Sequence, residues 1–200
     1  MKKINTIIFD LGYVLLNIDY QKTITEFKKI GIRNASKLYS KKAQDNLFNK
    51  LETGNISEDF FLTSLQIKTS NATKKQVKYA WNSMLLDLPK KRISLLKLLK
   101  SKYHIFLLSN TNSIHISEIR NKLGEEKYQK FYNLFNKVYY SHEIRLRKPD
   151  IKIFQLVLEE NKLNASEVLF IDDSLQHIQG AKTLGIKTIH LKNKKDVITL

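Results

Sequence analysis

Short apolar runs alternate with helical patterns along most of the chain. Five runs rich in β-branched and aromatic residues predict buried strands, at residues 4–9, 104–109, 137–141, 168–171 and 187–191. Leucine and isoleucine recur at helical spacing after Pro89 and after Pro149, and a proline is typical of the first turn of a helix. This alternation predicts an α/β fold, a doubly wound Rossmann-like parallel sheet.

The pattern changes between the first strand and Pro89. From about residue 20 to residue 86, apolar residues recur every three or four positions, which is typical of helices. Turn signals divide this segment into about four helices, and they lie at Gly31, residues 53–55 and residues 70–71. We therefore predict a helical-bundle cap domain at residues 17–88, inserted after the first strand into a core domain of residues 1–16 and 89–200.

The amino-acid composition and the lengths of the apolar runs exclude several kinds of site and indicate where the protein is located. The chain has no cysteine, which excludes disulfides, thiolate metal sites and a cysteine nucleophile. No apolar run reaches the roughly 18 to 20 residues that span a bilayer, and an acid interrupts the first apolar run too early for a secretory signal. We therefore expect a cytoplasmic protein with no membrane partner.

The net charge of +16 raises the question of nucleic-acid binding. Only five of the 35 basic residues are arginine, and the lysines are scattered along the chain. Arginine is favoured for bidentate contacts with phosphates and bases, and the sequence contains no recognisable nucleic-acid-binding motif. We therefore interpret the charge as a solvated surface and do not expect nucleic acid as a partner.

Polar residues follow four of the predicted strands at the point where each strand ends. They are one acid, a serine with an amide, a lysine and a pair of acids: Asp10, Ser109, Asn110, Lys148, Asp172 and Asp173. In an open parallel sheet, ligands bind beyond the carboxyl ends of the strands. We therefore expect these side chains to form one site.

The residue types at this edge suit phosphoryl transfer. Asp10 with Asp172 and Asp173 would form a concentrated negative site that needs a hard, oxygen-preferring cation, and Mg²⁺ is the expected cofactor. A hydroxyl and backbone N–H groups can hold phosphoryl oxygens, and a lysine adds a positive charge. With Asp10 attacking in line, the product is an aspartyl-phosphate that water hydrolyses.

Four motifs in this order make the chain similar to the haloacid dehalogenase-like hydrolase superfamily. FDLGYVL resembles its first motif, LLSNTN the second, the lysine of LRKPD the third and LFIDDS the fourth. The resemblance covers essentially the whole chain, and the helical insertion lies where members with a helical cap carry theirs. The chain is most similar to the branch that contains glucose-1-phosphate phosphatases and the phosphatase domain of epoxide hydrolases.

The resemblance implies a role for each residue at the edge. Asp10 would be the nucleophile, and Lys148 would stabilise both the nucleophile and the phosphate. The implied phosphate-binding residues are Ser109, Asn110 and Lys148, and the implied metal ligands are Asp10, Gly12 through its carbonyl, Asp172 and Asp173.

Three positions depart from the superfamily pattern: Gly12, His177, and Arg145, where the similar segment usually has Gly. Members usually carry a second Asp two residues after the nucleophile, where it protonates the leaving group and later activates water, and this chain has Gly12 there. Asp19 is the candidate substitute as general acid, and its alternative role is to cap the first helix of the insertion. His177 stands where relatives commonly carry Asn, and we expect it to hydrogen-bond beside the metal site, because hard cations prefer oxygen ligands.

The sequence therefore predicts a magnesium-dependent phosphatase acting on a small phosphorylated metabolite, with sugar phosphates as one class. The insertion would close over the site, and side chains near Tyr20, Trp81 and Asn82 would choose the leaving group. Two alternatives stay open: a phosphomutase, and a non-catalytic or regulatory relative that binds phosphate, which the missing second Asp favours. The sequence gives no indication of the oligomeric state.

Overall fold

The structure is a computed structural model that describes residues 3–38, 46–192 and 197–199. Its strands are β1 Thr6–Phe9, β2 His104–Ser109, β3 Lys137–Tyr140, β4 Val168–Asp172 and β5 Lys187–His190. All neighbouring strands are parallel, and they form one sheet in the order β3-β2-β1-β4-β5. The predicted α/β fold with a parallel sheet is confirmed.

Helices follow the strands and also fill the insertion after β1. The helices of the insertion are α1 Tyr20–Lys29, α2 Ala35–Leu38, α3 Asn46–Glu52, α4 Glu58–Gln66 and α5 Lys74–Asn82. The remaining helices are α6 Lys90–Lys100, α7 Ser113–Leu123, α8 Glu125–Tyr132, α9 Ser141–Ile144, α10 Ile151–Glu160 and α11 Leu175–Lys182. Two short 3-10 helices lie at Ala165–Glu167 and Val197–Thr199.

Two buried apolar clusters cover the two faces of the sheet. Successive side chains of a strand point to opposite faces, so Ile7 and Phe9 of β1 belong to one cluster and Ile8 belongs to the other. Phe154 of α10 and Ile178 of α11 belong to the cluster of Ile8. The sheet is therefore covered on both faces, which is the doubly wound arrangement.

The larger cluster is shared by the sheet and the insertion. It contains Phe9 of β1 together with Phe27 of α1 and Trp81 of α5. The Trp81 ring is fully buried, and its centroid lies 5.1 Å from that of Phe48 and 4.4 Å from that of His115 on α7. Because one apolar cluster connects the two parts, the division into domains at residues 1–16, 17–88 and 89–200 stays a prediction.

The two chain segments that link the insertion to the sheet are hydrogen-bonded to each other. The backbone N–H of Asn17 donates to Asp87 O at 2.9 Å, and the N–H of Leu86 donates to Asn17 O at 3.0 Å. Ile18 and Leu85 form an antiparallel bridge next to these hydrogen bonds. The entry and exit of the insertion therefore lie side by side.

The insertion differs from the sequence prediction in its number of helices. The described residues contain the short helix α2 in addition to the four predicted helices. It follows a turn at Asn34, which has a positive φ of 58°, a conformation that Asn tolerates better than most residues. A four-residue helix carries too few apolar positions to produce a periodic signal. Among the described residues, no helix has the length and apolar character needed to cross a membrane.

Candidate active site

The sheet register brings the acidic residues together. β1 and β4 are neighbours, with Phe9 opposite Ile171, so Asp10 and Asp172 occupy the same level at the carboxyl edge. The N–H of Asp10 donates to Ile171 O at 3.0 Å, which continues the strand pairing by one residue. One oxygen each from Asp10, Asp172 and Asp173 lies within 4.8 Å of the others. The structure thus brings together the three acids predicted to meet.

Lys148 lies between two of these carboxylates. Its side chain is fully buried, and Nζ donates to Asp10 Oδ1 at 2.7 Å and to Asp172 Oδ2 at 2.7 Å. A third hydrogen bond of 2.8 Å reaches the carbonyl oxygen of Leu108. An ammonium group has three N–H donors, so the protein occupies all of them. This holds the positive charge of Lys148 beside Asp10.

Asn110 fixes the backbone of Lys148. The Nδ2 of Asn110 donates to Lys148 O at 2.8 Å, and the N–H of Lys148 donates to Asn110 Oδ1 at 2.9 Å. Ser141, which the sequence analysis did not single out, fixes the backbone of Thr111, the residue after Asn110. Its Oγ accepts from Thr111 N at 2.9 Å and donates to Thr111 O at 3.0 Å. Ser109 and Asn110 line the cavity, and their binding of phosphate stays a prediction.

The two adjacent acids after β4 have different surroundings. Asp172 is fully buried, and its Oδ1 accepts from Ser174 N at 2.7 Å. The Nδ1 of His177 lies 3.0 Å from Asp172 Oδ2, so His177 hydrogen-bonds beside the acidic cluster as expected. Asp173 is half-buried and lines the cavity. Asp172 is therefore the anchored member of the pair, and Asp173 faces the ligand space.

Burial and charge shift the pKa values of this cluster in opposite directions. Burial raises the pKa of Asp10 to about 7 against the opposing charge of Lys148, with further increases from the negative charges of Asp172 and Asp173. Burial also acts to raise the pKa of Asp172, but Lys148 and the hydrogen bond from His177 hold that pKa below its usual range. A divalent cation beside Asp10 would favour the ionised carboxylate and lower its pKa.

The cluster opens into a cavity of about 400 Å³ between the sheet edge and the insertion. The sheet edge contributes Asp10, Gly12, Ser109 and Asp173, and the insertion contributes Tyr20, Asn49 and Glu52. This volume is near the lower end of the range typical of small-molecule sites. The arrangement can hold a small anionic ligand next to the carboxylate of Asp10.

Comparison with known proteins identifies the family. Residues 7–191 match the family model described as haloacid dehalogenase-like hydrolase. The chain belongs to this family. This hydrolase is 29% identical over 194 residues to the D-ribitol-5-phosphate phosphatase of Bacteroides thetaiotaomicron, with 96% of this chain and 94% of that protein covered. The predicted enzyme class, a phosphoric monoester hydrolase, agrees with that relative.

Solved structures extend the comparison. A HAD family enzyme from Bacteroides thetaiotaomicron in complex with magnesium is 35% identical, with a TM-score of 0.89, and the match covers 98% of this chain and 97% of that one. The wild-type form of that enzyme with magnesium and inorganic phosphate is 34% identical, with a TM-score of 0.86 and 97% of each chain covered. Together with the three clustered carboxylates, these structures bear out the prediction of magnesium as the cofactor.

The hydrolase has no side chain at Gly12, where the superfamily pattern usually has a second Asp. Gly12 lines the cavity, and a Cβ at this position would lie 3.9 Å from Asp10 Oδ2 and 3.0 Å from Ile18 Cδ1. The space beside Asp10 is therefore partly filled by Ile18. The carbonyl of Gly12 as a magnesium ligand stays a prediction.

Asp19 lies at the start of α1, where its side chain accepts a hydrogen bond from Gln21 N at 3.0 Å. This is the capping role that the sequence analysis gave as the alternative. Asp19 lines a second cavity with Glu118 and Lys122. Its role as general acid stays a prediction, and the observed geometry supplies only the cap.

Two substitutions separate the cap from proton donation. Asp19→Ala removes the cap and should lower the free energy of unfolding by about 1 kcal/mol, whereas Asn caps as well as Asp and should leave it unchanged. Urea unfolding of both variants measures this difference. If Asp19→Asn slows hydrolysis of an alkyl phosphate but not of p-nitrophenyl phosphate, Asp19 is the proton donor. If both rates are unchanged, Asp19 acts only as the cap of α1.

Proposed function

We propose that this hydrolase removes the phosphoryl group from a small hydroxylated phosphomonoester through an aspartyl-phosphate at Asp10, with Mg²⁺ bound beside it. The observation that carries the proposal is the ion-paired contact between Lys148 and Asp10, which both line the cavity, with Asp172 and Asp173 alongside. A carboxylate nucleophile needs a fixed orientation and neutralisation of the incoming anion, and these neighbours supply both.

The hydrogen bonds of Asp10 support Oδ2 as its attacking oxygen. Oδ1 accepts from Lys148, whereas Oδ2 lies on the side of Gly12, which lines the cavity. Oδ2 forms a bond to phosphorus as the phosphorus–oxygen bond to the leaving group breaks, and the leaving oxygen takes up a proton from water. Water then attacks the acyl phosphate, which releases inorganic phosphate and regenerates the carboxylate.

The acidic cluster fits a magnesium ion, because carboxylate oxygens are the ligands that this cation prefers. We assign the metal to Asp10, Asp172, Asp173 and the carbonyl of Gly12. When bound, Mg²⁺ neutralises negative charge between the phosphate and the nucleophile. The protein's part is to keep Asp10 oriented through Lys148 and to hold the phosphoryl oxygens with the Ser109 hydroxyl and the backbone after β2.

The substrate class is supported by the cavity volume and by the relative that acts on D-ribitol 5-phosphate. We propose small polyol phosphates and sugar phosphates for this chain. A panel of such esters, assayed for phosphate release with Mg²⁺ and with excess chelator, tests the function. We expect turnover with Mg²⁺ and its loss with chelator, restored by added Mg²⁺.

The non-catalytic alternative is favoured by one observation, the glycine at position 12. It predicts phosphate binding without release of nitrophenol from p-nitrophenyl phosphate, an ester whose good leaving group scarcely needs a general acid. Nitrophenol release that depends on Mg²⁺ would therefore exclude it. A phosphomutase would instead convert a sugar 1-phosphate to its isomer without free phosphate.

A further inference from the structure

Three polar side chains form a connected group in the cavity, and we call them the polar wall: Asn49, Glu52 and Arg147. The Nη1 of Arg147 donates to Asn49 Oδ1 at 2.6 Å, and its Nη2 lies 2.8 Å from Glu52 Oε2. Asn49 and Glu52 are three residues apart on α3 and therefore share one helix face. All three side chains line the cavity that contains Asp10.

Backbone packing fixes α3 against the sheet-forming part of the chain. The turn after α3 contains Gly54, which has a positive φ of 64°. A Cβ at this position would lie 2.3 Å from the carbonyl oxygen of His142 on α9. Only glycine permits this approach, so the helix that carries Asn49 and Glu52 is held at a defined distance from Arg147.

Stability alone is a weak reason for placing an ion pair here. The side chain of Glu52 is only 6% exposed and that of Arg147 is 28% exposed. Withdrawing two charges from water costs free energy that their attraction often fails to recover, and well-packed apolar side chains would serve packing equally well. Polar groups converging on a small-molecule cavity usually orient a ligand.

Tyr20 lines the same cavity as the polar wall and Asp10. Its hydroxyl is buried, and the negative charges of Glu52, Asp173 and Asp10 all act on it. Burial first, and then these charges, raise the pKa of Tyr20 well above its usual value, so the hydroxyl keeps its proton. A protonated hydroxyl therefore belongs to the same cavity as Asp10 and Glu52.

We propose that the polar wall binds hydroxyl groups of the leaving group and thereby selects phosphomonoesters of short polyhydroxylated chains. This inference rests on the proposed function. A carboxylate accepts from several donors, and a guanidinium has five N–H groups, so hydroxyls can join the existing contacts. The paired charges of Arg147 and Glu52 offset each other, which suits an uncharged leaving group better than one with a second phosphate.

The test compares two esters of equal chain length, D-ribitol 5-phosphate and n-pentyl phosphate, with p-nitrophenyl phosphate as the activity reference and D-ribose 5-phosphate as the ring-forming sugar. A site built to bind hydroxyls rejects analogues that lack them, so the wild type should prefer ribitol phosphate over pentyl phosphate by about 100-fold or more in kcat/KM. The ribose ester shows whether open chains or sugars are preferred within the class.

Glu52→Gln should lower kcat/KM for ribitol phosphate by about 10- to 100-fold and change the value for pentyl phosphate by less than about threefold, because only the hydroxylated ester uses the carboxylate. Asn49→Ala leaves the Arg147–Glu52 pair in place and should give a smaller loss in the same direction. The matched control is Glu58→Gln, a partly exposed acid on α4, which should change neither ester.

Several outcomes would overturn the inference and leave the phosphatase proposal intact. Equal losses on both esters would make the polar wall a contact that only positions the insertion. Equal wild-type activity on both esters, or no loss in Glu52→Gln, would exclude hydroxyl binding there. Failure of the wild type to release phosphate from any ester, p-nitrophenyl phosphate included, would instead reject the proposed function itself.

Discussion

Asp10→Asn should lower Mg²⁺-dependent phosphate release by about 10⁴-fold or more, because an amide cannot form the covalent phosphoryl intermediate. Asp10 lines the cavity and is held by Lys148, which makes this the largest expected effect on activity. Initial rates with p-nitrophenyl phosphate and with D-ribitol 5-phosphate measure it. Retention of more than a few per cent of the activity would reject Asp10 as the nucleophile.

Asp10→Asn could also lose activity because the variant is less stable. The pKa of Asp10 predicts that it is not. Burial raises this pKa from 3.8 to about 7, so folding favours the protonated acid. The unfolded state therefore ionises first, and stability falls as the pH rises from about 4 to about 7. Without Mg²⁺ at pH 8, Asp10→Asn should be at least as resistant to urea as the wild type.

The matched control for this substitution is Asp59→Asn. Asp59 is an exposed acid on α4 that pairs with Lys74. It is not among the residues that line the cavity of Asp10. It should keep wild-type rates with both esters. A comparable loss in this control would mean that the assay reports a general effect of removing an acid.

Lys148→Met should lower the free energy of unfolding by about 3 to 5 kcal/mol at pH 8 without Mg²⁺. Methionine keeps a long apolar side chain but leaves the carboxylates of Asp10 and Asp172 facing each other without the cation that bridges them. Turnover should also be lost, because Lys148 holds the carboxylate of Asp10, the proposed nucleophile. Urea titrations followed by tryptophan fluorescence measure the stability change.

The loss should shrink at pH 5 and on addition of Mg²⁺. In the variant both buried carboxylates should have raised pKa values, so acid protonates them and removes the repulsion, while a divalent cation replaces the missing positive charge. Lys130→Met is the control, because Lys130 forms an exposed pair with Glu126 and should give no measurable change. A loss that is equal at both pH values would place the cause in packing.

Much of the catalytic edge could be predicted from the sequence because strand ends are visible in the hydrophobic pattern. The parallel register then places Asp10 level with Asp172, and the loop after α9 returns Lys148 to the same edge. The distinct settings of Asp172 and Asp173 could not be predicted. Neighbouring acids look identical in a sequence, and their orientation depends on the pleat of β4 and on donors such as Ser174 N.

The leaving-group side of the cavity was harder to predict. Asn49 and Arg147 are 98 residues apart, and each resembles an ordinary solvent-facing residue in its own segment. Among the positions suggested for substrate choice, Tyr20 lines the cavity that contains Asp10, whereas Trp81 is fully buried in the shared apolar cluster and Asn82 lines the cavity of Asp19. The sequence predicted an apolar helix face that includes Trp81, but it could not show which part of the chain covers that face.

The insertion is joined to the rest of the hydrolase by two unlike kinds of contact. Trp81 stacks on His115 of α7 within a dry apolar cluster, whereas α3 meets the loop before Lys148 through the charges of Glu52 and Arg147. Water can replace the second kind of contact at far smaller cost than the first. A ligand that enters between α3 and the loop of Arg147 therefore exchanges polar contacts with water, and it leaves the apolar contacts of Trp81 and the packing of Gly54 against His142 in place.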